Sequence, residues 1–148
     1  MQAPVLILLV HVAATFFMVG IIWFVQIVHY PLFNKVGQAE FASYQLAHMQ
    51  RTSTVVLLPM FLEAVTGGLL LLQRPAAVFW WQVMGGLVLL AAIWLSTLFL
   101  QVPRHDVLTR GQDPQAIVGL LATNWVRTAL WTARGTLVLW MSLRAFNP

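Results

Sequence analysis

The sequence contains no cysteine. That excludes disulfides, thiolate metal sites and cysteine nucleophiles, and leaves the redox compartment undetermined. Charge is nearly as scarce. Four acidic and eight basic residues make up 8% of the 148-residue chain, where a soluble domain carries roughly 25%. So few charges cannot cover a water-facing surface. The basic excess gives a net charge of +4, but the eight residues are scattered and never form a tract, so there is no nucleic-acid footprint.

What the chain has instead is apolar bulk, 60% hydrophobic residues with a mean hydropathy of +0.82. A membrane is then the default solvent. Four stretches, about 5–28, 53–72, 78–101 and 119–142, reach the roughly 20 apolar residues needed to cross a bilayer. The expected fold class is an all-α integral membrane protein, a bundle of four transmembrane helices forming one domain over 1–148. The first stretch is too long and too uniformly apolar for a cleavable signal peptide, lacks a basic leader, and reads as a retained helix.

The link between the second and third stretches, "QRPAA", is short and makes an antiparallel hairpin. Gly67-Gly68 and Gly85-Gly86 lie equally far from it and are expected to face each other, since small residues let membrane helices approach closely. The other two links are long and alike. Gly37-Gln38 and Gly111-Gln112 stand half a chain apart, and Arg51-Thr52 and Arg127-Thr128 nearly so. The pattern reads as a duplicated two-helix unit, halves about 1–74 and 75–148, with both copies pointing the same way about an axis along the membrane normal.

Asp113-Pro114 is a helix start, a capping residue followed by proline at the first helical position. The last helix is expected over about 114–144 and the second over about 38–73, both extended on the side of the long links. Pro59 is expected to kink the second helix. Lys35, Arg51, Arg104, Arg110 and Arg127 lie on the link side and Arg74 and Arg144 opposite. The positive-inside rule then makes the link side cytoplasmic and the termini external, in a bacterial inner membrane.

Polar residues gather at that side. Gln26, His29 and Tyr30 end the first span in the motif "QIVHYP"; Gln101 and His105 end the third; His48 and Arg51 enter on the second helix, Asn124 and Arg127 on the fourth. Two charges go deeper, Glu63 and Arg134. Isolated charges at the bilayer centre cost a few kcal/mol, so the two are expected to face inward and pair. Trp131 shares the inward stripe of Arg127 and Arg134 and is placed to wall an aromatic pocket. His29 and His105, ending equivalent helices, are expected to face each other across the axis with His48 nearby. Those three histidines could share a metal, although their spacing matches no metal motif and the sequence requires no cofactor. The competing reading of each is a helix-end residue capping carbonyls or meeting headgroups, and of Glu63 and Arg134, structural glue. His11, at the far end of the first span, reads as a lone satisfied histidine; as a haem ligand it has no second ligand at its depth.

Two segments carry a family resemblance. "LQVPRHDVL" (100–108) resembles an N-x-P-x-N-x-x-L segment, and "NWVRT" (124–128) is similar to a W-N-x-x-R-T segment, of the small four-helix membrane family that includes the anthrone oxygenases. Trp23 and the proline segment at Pro31 fit the same layout. Pro103, Asn124 and Arg127 match; Gln101 and His105 replace the family's two asparagines. The resemblance implies oxidation of a tricyclic anthrone to a quinone by O2 with no established cofactor.

These residues support two functions. The first is a membrane oxygenase or oxidoreductase acting on a hydrophobic, aromatic or quinone-like molecule, with His29, His48 or His105 as base and Arg127, Arg51 or Arg134 as charge partner. Gln26, Tyr30, Arg51, Glu63, Gln101, Asn124, Trp131 and Arg134 would surround the substrate. The alternative is a non-catalytic subunit binding or transporting an anionic lipid or amphiphile. Expected partners are the bilayer and that small molecule, and a homo-oligomer is left open.

Overall fold

The computed structural model describes residues 2–147. All its regular structure is helical: α1 Ala3–Phe24, a π-helical turn Val25–His29 and a short 3-10 helix Pro31–Lys35, then α2 Gln38–Leu72, α3 Trp80–Ser96, a second π-helical turn Thr97–Gln101, α4 Val102–Leu108 and α5 Pro114–Phe146. There is no strand among the described residues.

Three of the helical rods, Ala3–Lys35, Gln38–Leu72 and Trp80–Leu108, are long and apolar enough to cross a membrane. The 33-residue α5 has the length. Asn124, Arg127 and Arg134 lower its apolarity, so hydropathy alone does not mark it. Large apolar side chains stand on the outside of every rod, among them Phe99 (71% exposed), Leu58 (65%), Val118 (64%) and Phe24 (54%). Apolar surface this extensive needs an apolar cover.

The long helices begin and end where local chemistry directs. Asp113 caps α5, its carboxylate accepting from the Ala116 N–H at 2.9 Å, with Pro114 in the first turn. Gly111 takes φ +147°, a left-handed conformation that suits glycine before the cap. α2 runs unbroken through Pro59.

The two π-turns are not signalled by apolar periodicity, and both have the same cause. Each ends two residues before a proline, Pro31 or Pro103, and closes with an i→i−5 bond, Tyr30 N–H to the Val25 carbonyl and Val102 N–H to the Thr97 carbonyl. Proline cannot donate to the helical ladder and its ring crowds the preceding turn; a widened turn relieves that conflict. The extra residue in the turn rotates the helix around it, and Gln26 and Tyr30, then Gln101, become buried.

Packing separates into layers. One apolar cluster, with Phe33, Phe41, Leu108 and Ile117, sits at the end of the long links; a second, Met18, Ile22, Met60, Ile93 and Trp131, lies at mid-height; a third, Leu8, Leu70, Val83 and Val138, closes the opposite end. Polar side chains occupy the levels between them.

The glycine pairs do not face each other. A Cβ on Gly67 would meet Leu87 and His11, and one on Gly86 would lie 3.5 Å from an Arg134 guanidinium nitrogen. Their smallness makes room for the deep polar side chains rather than for helix-on-helix contact.

Candidate functional site

The upper polar level encloses a cavity of about 180 Å³ between α1, α2, the second π-turn, α4 and α5. Tyr30, His48, Thr52, Gln101, His105 and Arg127 supply its polar wall. Met18, Ile22, Val25, Val56, Met60 and Trp131 supply its apolar one.

The histidines meet, but not as expected. His29 pairs with His48, Nε2 to Nδ1 at 2.8 Å, and His105 sits on the other side of His48 with ring centroids 5.4 Å apart. His29 and His105 do not face each other, because Tyr30 and Gln45 take the His105 nitrogens. The Gln45 amide N–H donates to His105 Nδ1 at 2.8 Å and also reaches the His105 carbonyl at 3.4 Å. The ring proton therefore lies on Nε2, which donates to the Tyr30 oxygen at 2.9 Å. Arg127 Nη2 donates to the same oxygen at 3.4 Å. With two donors on its oxygen, the Tyr30 O–H is left to donate into the cavity.

His48 has the complementary freedom. Its Nδ1 lies 2.8 Å from His29 and 3.1 Å from the Thr52 hydroxyl, and its Nε2 meets no partner among the described residues. One proton is shared between the two rings. When it rests on His48 Nδ1, the cavity-lining Nε2 is a bare lone pair. His29 is half-buried, backs His48 and does not itself line the cavity.

Arg127 is positioned from behind. Its Nε and Nη2 donate to Asn124 Oδ1 at 3.0 and 2.6 Å, Asn124 donates to Gln26 Oε1 at 2.7 Å, and Gln26 donates to the Leu121 carbonyl at 3.3 Å. Gln26 and Asn124, expected at the substrate, thus hold the arginine and do not touch the cavity. Arg51, also expected there, is exposed and makes no hydrogen bond or ion pair among the described residues. A helical position facing outward cannot reach the cavity.

The metal that His29, His48 and His105 could have shared finds no common site among them. Their nitrogens aim at one another, at Thr52, at Tyr30 and at Gln45 rather than at a common point, and no group of three or more His, Asp or Glu among the described residues is arranged to hold an ion.

The deep charges do pair. Arg134 Nε donates to Glu63 Oε1 at 3.0 Å, with both side chains wholly buried, and the Trp131 indole donates to the other carboxylate oxygen at 3.2 Å. Arg134 also donates to the Gly86 carbonyl and, through Nη2, to His11 Nε2 at 3.1 Å. Since arginine only donates, His11 accepts there and carries its proton on Nδ1, which donates to Thr66 at 2.6 Å. His11 is satisfied but not alone: it belongs to a cluster joining α1, α2, α3 and α5. Glu63 and Arg134 lie below the cavity and do not line it, so both leave the set of residues expected around the substrate.

Sequence reading missed Gln45 and the three methionines lining the cavity, Met18, Met49 and Met60. Gln45, His48 and Thr52 follow the i, i+3, i+7 spacing of one helix face, a stripe that marks α2's inward side. The methionines carried no such signal. The chain matches no protein-family model, no curated protein and no solved structure.

Proposed function

We propose that the chain is an integral membrane protein, an oxygenase- or oxidoreductase-like acid–base catalyst acting on a hydrophobic aromatic or quinone-like molecule in this cavity. α5 completes a four-span bundle because Asn124, Thr128 and Arg134 point inward, where neighbours satisfy them, and Val118, Trp125, Leu139 and Leu143 point out. The element order supports a duplicated unit, since each half runs helix, π-turn, short helix, long helix. The link side is cytoplasmic by its basic residues, in a bacterial inner membrane. Kinship with the anthrone oxygenase-like family is supported by the two resembling segments: Arg127, which matches the family's pattern, lines the cavity, as do Gln101 and His105 at the positions of its two asparagines.

The observation that carries the reading is the opposition of a free histidine nitrogen, His48 Nε2, to a donor pair, Tyr30 O–H and the Arg127 guanidinium, around one apolar-floored cavity. His48 takes an activated proton from the substrate while its Nδ1 proton passes to His29, whose ring is open enough to exchange it. The negative charge left on a substrate oxygen meets Tyr30 and Arg127. With O2 as co-reactant, the phenolic carbon and a ring C–H carbon become the two carbonyls of a quinone; the second oxygen atom and the two hydrogens lost leave as water.

The test is oxygen uptake by the full chain in lipid nanodiscs with membrane-soluble aromatic C–H acids and phenols. His48→Gln is expected to lower turnover about a hundredfold or more. Wild-type activity falls toward acid pH, where a protonated imidazole cannot accept. The non-catalytic alternative, an amphiphile-binding subunit, is favoured by the opening of the cavity between α2 and the second π-turn. Saturable binding without turnover, unchanged by His48→Gln, would establish it instead.

A further inference from the structure

We propose that the cavity takes a single-ring phenol or hydroquinone headgroup whose apolar tail leaves sideways into the bilayer, not a three-ring polycycle. The inference rests on reading this cavity as a ligand site, and three separate observations on the structure carry it.

The first is size. A cavity of about 150 Å³ holds one benzene ring, and three fused rings scale to on the order of 300 Å³. The cavity here is about 180 Å³, room for one ring and its oxygens. The second is an unmatched acceptor. Gln101 is 1% exposed and lines the cavity; its amide nitrogen donates to Thr123 at 2.9 Å, and its Oε1 is buried with no donor among the described residues. A ligand hydroxyl would satisfy it, while the Tyr30 O–H and Arg127 donate to a ligand oxygen. The headgroup therefore both donates and accepts, as a phenolic or quinol oxygen does and an ether or simple ketone does not.

The third is a gap in the wall. α2 and the π-turn Thr97–Gln101 both line the cavity, yet no Cα of one lies within 8 Å of a Cα of the other. Ser53 on α2 and Val102 just after the π-turn line the cavity and are exposed, so they stand at its rim. The widened turn opens the helix pair at the level of the polar wall. A tail leaving there passes apolar side chains on the lipid-facing surface, with Leu98 and Phe99 beside it.

The experiment is equilibrium binding to the full chain in phosphatidylcholine nanodiscs, corrected with empty nanodiscs. The probes are para-octylphenol, para-octylanisole (which lacks the donor) and anthrone (three rings, no tail). Octylphenol is expected to bind saturably and about tenfold more tightly than either other probe. Gln101→Leu should abolish the preference for the phenol over the anisole. Ser53→Trp, on an exposed position that leaves the fold intact, should weaken octylphenol binding about tenfold by closing the gap. Anthrone binding as tightly as octylphenol, through Arg127 and unaffected by Ser53→Trp, would overturn the single-ring assignment and leave the ligand-site reading standing. Absence of saturable binding by every probe, with Arg127→Met changing nothing, would overturn both.

Discussion

The molecule holds two polar clusters at different depths, and they are built on opposite principles. The deep one, Glu63, Arg134, Trp131, His11 and Thr66, is closed: both carboxylate oxygens, all three guanidinium nitrogens and both imidazole nitrogens have partners. The upper one is open. His48 Nε2 has no partner among the described residues, Gln101 Oε1 has no donor among them, and both residues line the cavity. Buried polar groups that saturate each other hold a fold together, whereas groups left unsatisfied around a space of this size are free to take a partner that enters it. Glu63 and Arg134 do not line the cavity and are partnered by each other and their neighbours, which favours their competing, structural reading.

The largest expected effect breaks the deep cluster. Glu63→Gln strands the Arg134 charge and should cost roughly 3–5 kcal/mol of stability, read by unfolding in detergent micelles. The double replacement Glu63→Leu with Arg134→Met should recover most of that loss, because a buried pair replaced by apolar side chains of similar volume is often neutral. Recovery would be incomplete to the extent that His11 and the Gly86 carbonyl lose a donor. If Glu63→Gln leaves stability unchanged but abolishes ligand binding, the roles assigned to the two levels are reversed.

A smaller effect sits at the boundary between the clusters. Asn124→Ala frees Arg127 from its brace and leaves buried Gln26 Oε1 without its donor, a loss of roughly 1–3 kcal/mol in stability. The same variant should weaken ligand binding, and Asn124→Asp, which keeps the acceptor for Arg127, should restore part of it. Stability lost with binding intact would show that Arg127 needs no brace.

The smallest effect is at Arg51. Although it precedes a threonine as Arg127 does, it is exposed and without a hydrogen-bonded partner among the described residues, so Arg51→Gln should leave unfolding and ligand binding unchanged within error. A clear loss of binding would mean that the two halves contribute more equally than their side chains indicate.

Much of this was legible in one dimension because a bilayer permits few solutions. Helices satisfy their own backbone, so long apolar runs mark rods, and Asp113-Pro114 places the start of α5 at its observed residue. The inward stripe of α5 and the pairing of Glu63 with Arg134 came from helical period and the cost of an isolated buried charge. The polar wall of the cavity was likewise visible in Tyr30, His48, Gln101, His105 and Arg127, which lie together at one end of the bundle.

Partner choice within that wall was not legible. Whether His29 meets His105 or His48 depends on ring orientation after the π-turns, and a widened turn is not encoded in apolar periodicity; only the downstream prolines hinted at it. Gln26 and Asn124 carry the same polar signal as Gln101, yet two became braces and one kept a buried oxygen without a donor, because their neighbours differ across helices far apart in sequence. Sequence by itself thus determined the helices, their inward faces and the charge pair, all consequences of local period and desolvation. Only the tertiary structure decided which polar groups were left unsatisfied and where the wall opened, since those depend on how four rods, two of them widened before proline, fit against one another.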